Sequence, residues 1–170
     1  MKTILCGYMG AGKSTLGEQL AKFSGVKFYD LDHEIEKQEG KKISEIFSKK
    51  GEIYFRKVEN EVLKVFLNRK ENYVLALGGG TPCYANNLSL IKENPNTQLI
   101  YLKLSIAELT ERLFLDSYRR PLIQHLTNRE NLEDFIRKHL FERQQYYMQS
   151  HKIIAVAQKT IPDLIEEILE

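Results

Sequence analysis

Cysteine is scarce in this chain: two residues, Cys6 and Cys83, stand far apart with no CxxC or Cys/His ligand spacing. That spacing argues against a disulfide framework and a zinc site, and leaves two reduced, mostly buried thiols as the expectation. Long apolar runs are missing as well. The hydrophobic stretches are short and broken by charges, and Met1-Lys2-Thr3 leads directly into a strand-like segment, so neither a signal peptide nor a membrane span is expected. The expected compartment is the cytoplasm. Charge of one sign is lacking too: 25 basic against 23 acidic side chains leave a net +2, too little to call for a nucleic-acid or membrane partner. Any positive charge that matters has to be local. No internal repeat, low-complexity tract or linker interrupts the 170 residues, which points to a single domain, 1–170, with one core.

What the chain does have is a hydrophobic period that switches repeatedly between strand and helix, the mark of an α/β layered fold. Strands are expected at Thr3 to Cys6, Val26 to Tyr29, Tyr73 to Leu77, Gln98 to Leu102 and Lys152 to Val156. These short apolar runs suit a parallel sheet buried on both faces. Helices are expected at Ser14 to Phe23, Gly51 to Leu67, Asn128 to Met148 and Thr160 to Leu169, with a further one capped by Ser105 and Glu108. Val58, Val62, Val65 and Phe66 form one apolar stripe, and Ile161, Leu164, Ile165 and Ile168 another; both are read as core.

The most specific signal is Gly7-Tyr8-Met9-Gly10-Ala11-Gly12-Lys13-Ser14, which fits GxxxxGK[ST] and falls between a predicted strand and a predicted helix. The glycines let successive N–H groups turn inward and, with the helix N-terminus, form a nest for the β-phosphate of a nucleotide. Gly10, Ala11, Gly12, Lys13, Ser14 and Thr15 are the candidate nucleotide-binding residues. Lys13 is expected to reach the β- and γ-phosphates, and Ser14 to offer a hydroxyl to Mg²⁺. Such a cradle specifies a nucleotide, not a reaction, because switches, motors and small-molecule kinases all use it.

Other residues bear on the reaction. Asp30 and Asp32 end the second predicted strand, where alternation would aim both toward the nucleotide, one for Mg²⁺ through water and one for a substrate hydroxyl. Helix capping is the plainer reading of these acids, but capping alone is disfavoured because one acid can cap and bind. Gly78-Gly79-Gly80 follows the third strand and would let a ligand approach backbone N–H groups; a tight turn is the bland alternative, and the less favoured one. Arg56 and Glu59 have the spacing of an exposed helical ion pair, Arg119-Arg120-Pro121-Leu122 could close over phosphates, and Arg143 lies on a polar helix where solvation alone would account for it.

Taken together, the motifs resemble the shikimate kinase family, a branch of the nucleoside-monophosphate-kinase-like P-loop proteins, over nearly the whole chain. Besides the phosphate loop, Asp30-Leu31-Asp32 is similar to that family's Asp-x-Asp. Phe47 and Gly51-Glu52-Ile53-Tyr54-Phe55-Arg56-Lys57-Val58-Glu59 resemble its Gly-Glu-x-x-Phe-Arg-x-x-Glu segment. Gly78-Gly79-Gly80, Arg120-Pro121-Leu122 and Arg143 resemble its triple-glycine, lid and C-terminal arginine motifs.

The resemblance implies a three-layer α-β-α P-loop kinase fold with a five-stranded parallel sheet, a substrate-binding segment at about 31–60 and a lid at about 112–124. It implies transfer of phosphate from ATP with Mg²⁺ to the shikimate 3-hydroxyl, in chorismate and aromatic amino-acid biosynthesis, by a monomer. Arg56 and Arg143 would then grip the substrate carboxylate, and Asp32 would orient or deprotonate the attacking hydroxyl. Asp30 would sit near Mg²⁺, and Gly78, Gly79 and Gly80 would line the substrate. Phe47 and Phe55 would flank its ring, Arg120 would join Lys13 on the transferring phosphoryl group, and Glu59 would steer Arg56. Arg112 answers to the family's adenine-stacking arginine with a small register shift, while Phe114 to Tyr118 departs from its lid pattern in having no glycine and little basic character. Gluconate-type and nucleoside-monophosphate kinases share the loop and size, and a nucleotide-dependent binding or regulatory module is the reading from outside enzymology.

Overall fold

The computed structural model describes residues 1–116 and 122–170. Five strands, β1 (Lys2–Cys6), β2 (Lys27–Asp30), β3 (Tyr73–Ala76), β4 (Thr97–Lys103) and β5 (Lys152–Ala155), form one parallel sheet in the order β2-β3-β1-β4-β5. Each lies within one residue of its expected ends. Burial on both faces is the reason: Ile4, Leu5, Leu75, Leu99 and Ile100 have no exposed surface, and each such side chain is worth roughly 2 kcal/mol on removal from water. The chain leaves β1 for the β2/β3 side of the sheet and later crosses to the β4/β5 side. The carboxyl end of β1 is therefore a switch point, where such sheets open a ligand crevice.

The helices are α1 (Lys13–Ser24), α2 (Leu31–Glu39), α3 (Ile43–Leu67), α4 (Asn87–Glu93), α5 (Ile106–Leu115), α6 (Arg129–Tyr147) and α7 (Ile161–Leu169). The capping box of Ser105 and Glu108 opens α5 as expected, and Thr160 with Asp163 forms another at α7. Sequence periodicity did not reveal α4 or the first turns of α3. The helix expected from Gly51 starts at Ile43 instead and is broken at Gly51, whose φ of 81° and ψ of 172° belong almost only to glycine. Val65, assigned to the buried stripe, is 58% exposed. At 3.6 residues per turn the stripe centres between Val62, Leu63 and Phe66, leaving Val65 roughly a third of a turn away. Both cysteines are free, Cys6 buried and Cys83 half-buried, and burial pushes their thiols up to about 12 and about 11. Among the described residues no helix is long and apolar enough to cross a membrane.

Close packing of α1 on the sheet depends on Gly17, where a β-carbon would stand 2.5 Å from the Phe28 ring. In a helix interior alanine normally gains up to about 1 kcal/mol over glycine. Here the overpacking cost of roughly 1–3 kcal/mol outweighs it. Gly17→Ala is therefore expected to lower the urea midpoint, by the equivalent of about 1 kcal/mol; an unchanged or raised midpoint would show that Phe28 yields freely.

Candidate active site

The phosphate loop lies where β1 meets α1. Gly10 and Gly12 hold φ of 79° and 89°, and Gly12 enters the helix with no side-chain cap and no acid in the first turn. The positive end of α1 is thus directed at the loop rather than neutralised by it. The Lys13 ammonium donates to the carbonyls of Gly7 and Tyr8 at 2.9 and 3.0 Å, folded over the loop it serves. Ser14 Oγ donates to Asp30 Oδ2 at 2.8 Å. The other Asp30 oxygen accepts from the backbone N–H of Asp32 and His33, so Asp30 both caps α2 and reaches the loop. The two readings of that acid were not alternatives.

The alternation argument for Asp32 does not hold, because β2 ends at Asp30 and α2 begins at Leu31. Asp32 nonetheless shares a cleft of ≈ 490 Å³ with Gly12, Lys13, Ser14, Gly79 and Arg112, since the first turn of α2 carries it there. Burial first, then the nearby carboxylates of Asp30 and Glu59, push Asp32 up to about 6, against the opposing pull of Lys13 and Arg56. A smaller cleft of ≈ 230 Å³ adjoins the loop, shares Gly12, Thr15 and Arg112, and extends to Val156 and Lys159. Arg112 donates to the Gly10 carbonyl at 3.3 Å.

The distant motifs meet at the triple glycine. A methyl group at position 78 would lie 2.8 Å from Asp32 Oδ1, at 79 it would lie 3.5 Å from Arg143 Nη1, and at 80 it would lie 2.7 Å from Arg56 Nη2. Three charged side chains from α2, α6 and α3 therefore converge on consecutive residues that have no side chain to keep them off.

Arg56 is closely held. Its Nη1 donates to Glu59 Oε2 at 2.9 Å, the Tyr84 ring lies 3.7 Å from its central carbon and the Phe55 ring 5.0 Å, and Phe55 in turn meets the tilted Phe47 ring with centroids 4.6 Å apart. Glu59 is only 1% exposed, so this is not the surface pair that the spacing suggested. Its second oxygen accepts from Thr81 Oγ1 at 2.7 Å, and Thr81 O accepts from Asn87 Nδ2, which links α3 to the loop after β3. On the far side, Tyr147 donates to the Gly79 carbonyl, and Tyr8 meets His139 Nδ1 at 2.9 Å. Burial, and then Arg143, bring His139 down to about 4. Tyr84, Thr81, Asn87, Tyr147 and the Tyr8–His139 pair carried no sequence signal. Arg120, with Ser117, Tyr118, Arg119 and Pro121, lies outside the described residues.

A family profile described as shikimate kinase matches residues 9–170. The chain belongs to the shikimate kinase family. A shikimate kinase of Flavobacterium johnsoniae is 44% identical over 169 residues, covering 99% of this chain and 97% of its own. Among solved structures, the family member from Acinetobacter baumannii in complex with shikimate superposes with a TM-score of 0.86 at 38% identity, covering 99% of this chain and 90% of that one. The family member from Bacteroides thetaiotaomicron gives 0.90 at 30% identity, with 99% and 96% covered. The expected fold class is thus the observed one.

The donor set fits the ATP and Mg²⁺ that the family uses. The loop is open to phosphate, and Ser14 and Asp30 present hard oxygens 2.8 Å apart. Among the described residues no cluster of three ligating side chains exists, as suits a cation that takes most of its ligands from phosphate and water.

The raised Asp32 pKa has a stability consequence. The folded state holds the proton more tightly than the usual 3.8, so its contribution is complete below pH 3.8 and is lost as pH rises through about 6. Asp32→Asn is therefore expected to raise stability at pH 8 by about 1–2 kcal/mol and to change it little at pH 3.5. Thermal melts at the two pH values check this; equal midpoints at pH 8 would contradict it.

Proposed function

We infer that the chain transfers the γ-phosphoryl group of ATP to the 3-hydroxyl of shikimate, giving shikimate 3-phosphate and ADP, the step its family supplies to chorismate and aromatic amino-acid biosynthesis. The observation that carries this reading is the convergence of Asp32, Arg143 and Arg56 on Gly78, Gly79 and Gly80 beside the phosphate cradle. Two guanidinium forks suit a carboxylate, since each can bond both of its oxygens. An acid with a pKa of about 6 suits a hydroxyl that must be oriented and relieved of its proton near neutrality.

In this reading the acceptor carboxylate binds Arg56 and Arg143, its ring lies against Phe47 and Phe55, and backbone groups of Gly79 and Gly80 complete the pocket. Asp32 accepts the hydrogen bond of the attacking hydroxyl and takes its proton. Lys13 and the N–H groups of residues 10–15 neutralise the phosphates, and Arg112 with the cleft toward Val156 receives the purine. Ser14 directly, and Asp30 through water, would hold Mg²⁺, which would supply positive charge to offset that of the phosphates. By the family resemblance, Arg120 of the 112–124 lid, which lies outside the described residues, would serve the transferring group. Because phosphoryl transfer passes through a loose transition state, positioning and charge matter more than base strength. Residues 31–60 form the substrate-binding segment of a single 1–170 domain, acting as a cytoplasmic monomer.

ADP release measured with shikimate, gluconate and CMP offered separately tests the acceptor. Stimulation by shikimate alone is expected; stimulation by either of the others would reverse the assignment. Arg143→Ala should raise the shikimate KM about 10- to 100-fold, the loss of a charge-assisted pair, with the KM for ATP within about twofold. Equal loss of ATP affinity would contradict the placement of Arg143. Asp32→Asn should lower kcat by about 100-fold or more with the fold intact, and near-normal turnover would remove its role.

A further inference from the structure

The edges of the Arg56 guanidinium are held unequally. Nη1 donates to Glu59 at 2.9 Å, and that carboxylate is buried and also bound to Thr81. Nε and Nη2, the edge that offers two parallel N–H groups, both donate to a single oxygen of Glu52, Oε1, at 3.4 Å. The Glu52 side chain is 50% exposed. One contact is short and sequestered from water. The other lies at the limit of a hydrogen bond and is open to solvent, the kind of pair worth less than about 1 kcal/mol.

Glu52 is not needed to keep Arg56 in place. Tyr84 covers one face, Gly80 stands against the tip, and Glu59 fixes Nη1. What Glu52 does occupy is the edge on which a bidentate carboxylate ligand would dock. We propose that Glu52 is an internal stand-in for the acceptor carboxylate, holding the Nε/Nη2 edge of Arg56 until the acceptor displaces it. The inference rests on the reading that Arg56 binds that carboxylate. Its consequence is a competition: only the fraction of molecules in which Glu52 has swung away is competent, and the apparent affinity falls by that fraction. An acceptor with a planar carboxylate pays this cost by making two well-aligned bonds, whereas an anion making one does not, so Glu52 sharpens the choice of acceptor as well as weakening its binding.

The test is a double-mutant cycle on the full-length protein, read as the KM for shikimate and, separately, for ATP. Glu52→Gln keeps the side chain's length and removes its charge. Arg56→Lys keeps a cation opposite Glu59, so the buried carboxylate stays paired, while removing the two-donor edge. The expected result is that Glu52→Gln lowers the shikimate KM about threefold and leaves the ATP KM unmoved, and that it has no effect on either in the Arg56→Lys background. An unchanged or raised shikimate KM in the single variant overturns the proposal. A threefold fall in both backgrounds also overturns it, because removal of a negative charge near an anionic acceptor would then explain the effect without Arg56. If Arg56→Lys itself leaves the shikimate KM unchanged, the carboxylate reading of Arg56 fails, and that failure is distinct from the first two.

Discussion

A single buried negative charge organises the acceptor side of this molecule. Glu59, almost wholly out of solvent, divides its two oxygens between the Arg56 guanidinium on its own helix and the Thr81 hydroxyl in the loop after β3. A carboxylate in such a place costs several kcal/mol unless it is paired and hydrogen-bonded, and removing either partner would leave much of that cost uncompensated. The pairing therefore sets two registers at once. It fixes the direction of Arg56, and it fixes where the glycine loop lies relative to α3. Asn87, accepting from Asn60 and donating to Thr81, extends the same constraint to α4.

The two halves of the crevice attract anions by different physics. On the nucleotide side much of the charge is partial and fixed, the dipole of α1 and the N–H groups of a loop bent at Gly10 and Gly12, joined by the formal charges of Lys13 and Arg112. This arrangement suits phosphates, which carry charge over many oxygens. On the acceptor side the charge is formal and directional, carried by Arg56 and Arg143 against a loop with no side chains. Asp32 lies between the halves, close enough to Lys13 and Arg56 for both to favour its ionised form, yet held above the ordinary range by burial and by Asp30 and Glu59. Its unfavourable setting is a local cost in stability whenever it is ionised.

What could be read from the chain alone follows the range of the interactions. The strands were legible because a parallel sheet buries whole runs such as Tyr73 to Ala76, and the phosphate loop because its spacing is local. Asp32 was assigned to the right cleft by the wrong route, since strand alternation was invoked where a helix had begun at Leu31. Arg56 and Glu59 looked like a solvent-exposed pair because spacing carries no information on burial; it is Thr81, 22 positions away, that encloses Glu59. Arg143 looked solvated for the same reason, its neighbour Gly79 being remote in sequence. Only the family resemblance joined them. Tyr84 and His139 stayed invisible, because an aromatic beside a cation or a hydroxyl is recognisable only once the chain has brought them together.

The break at Gly51 has an implication for how this pocket could be reshaped. Phe47 lies before it and Phe55 and Arg56 after it, so the two touching rings belong to separately oriented pieces of one helix. Nothing crowds the space where a side chain at 51 would go, so it is the backbone conformation and not a steric contact that calls for glycine there. In the proposed reading, the wall that would face the acceptor's ring is thus built from both pieces, while the anchor that would grip its acid group belongs to the second alone. A change at Phe47 would therefore alter that wall without touching the contact that ties Arg56 to Glu59.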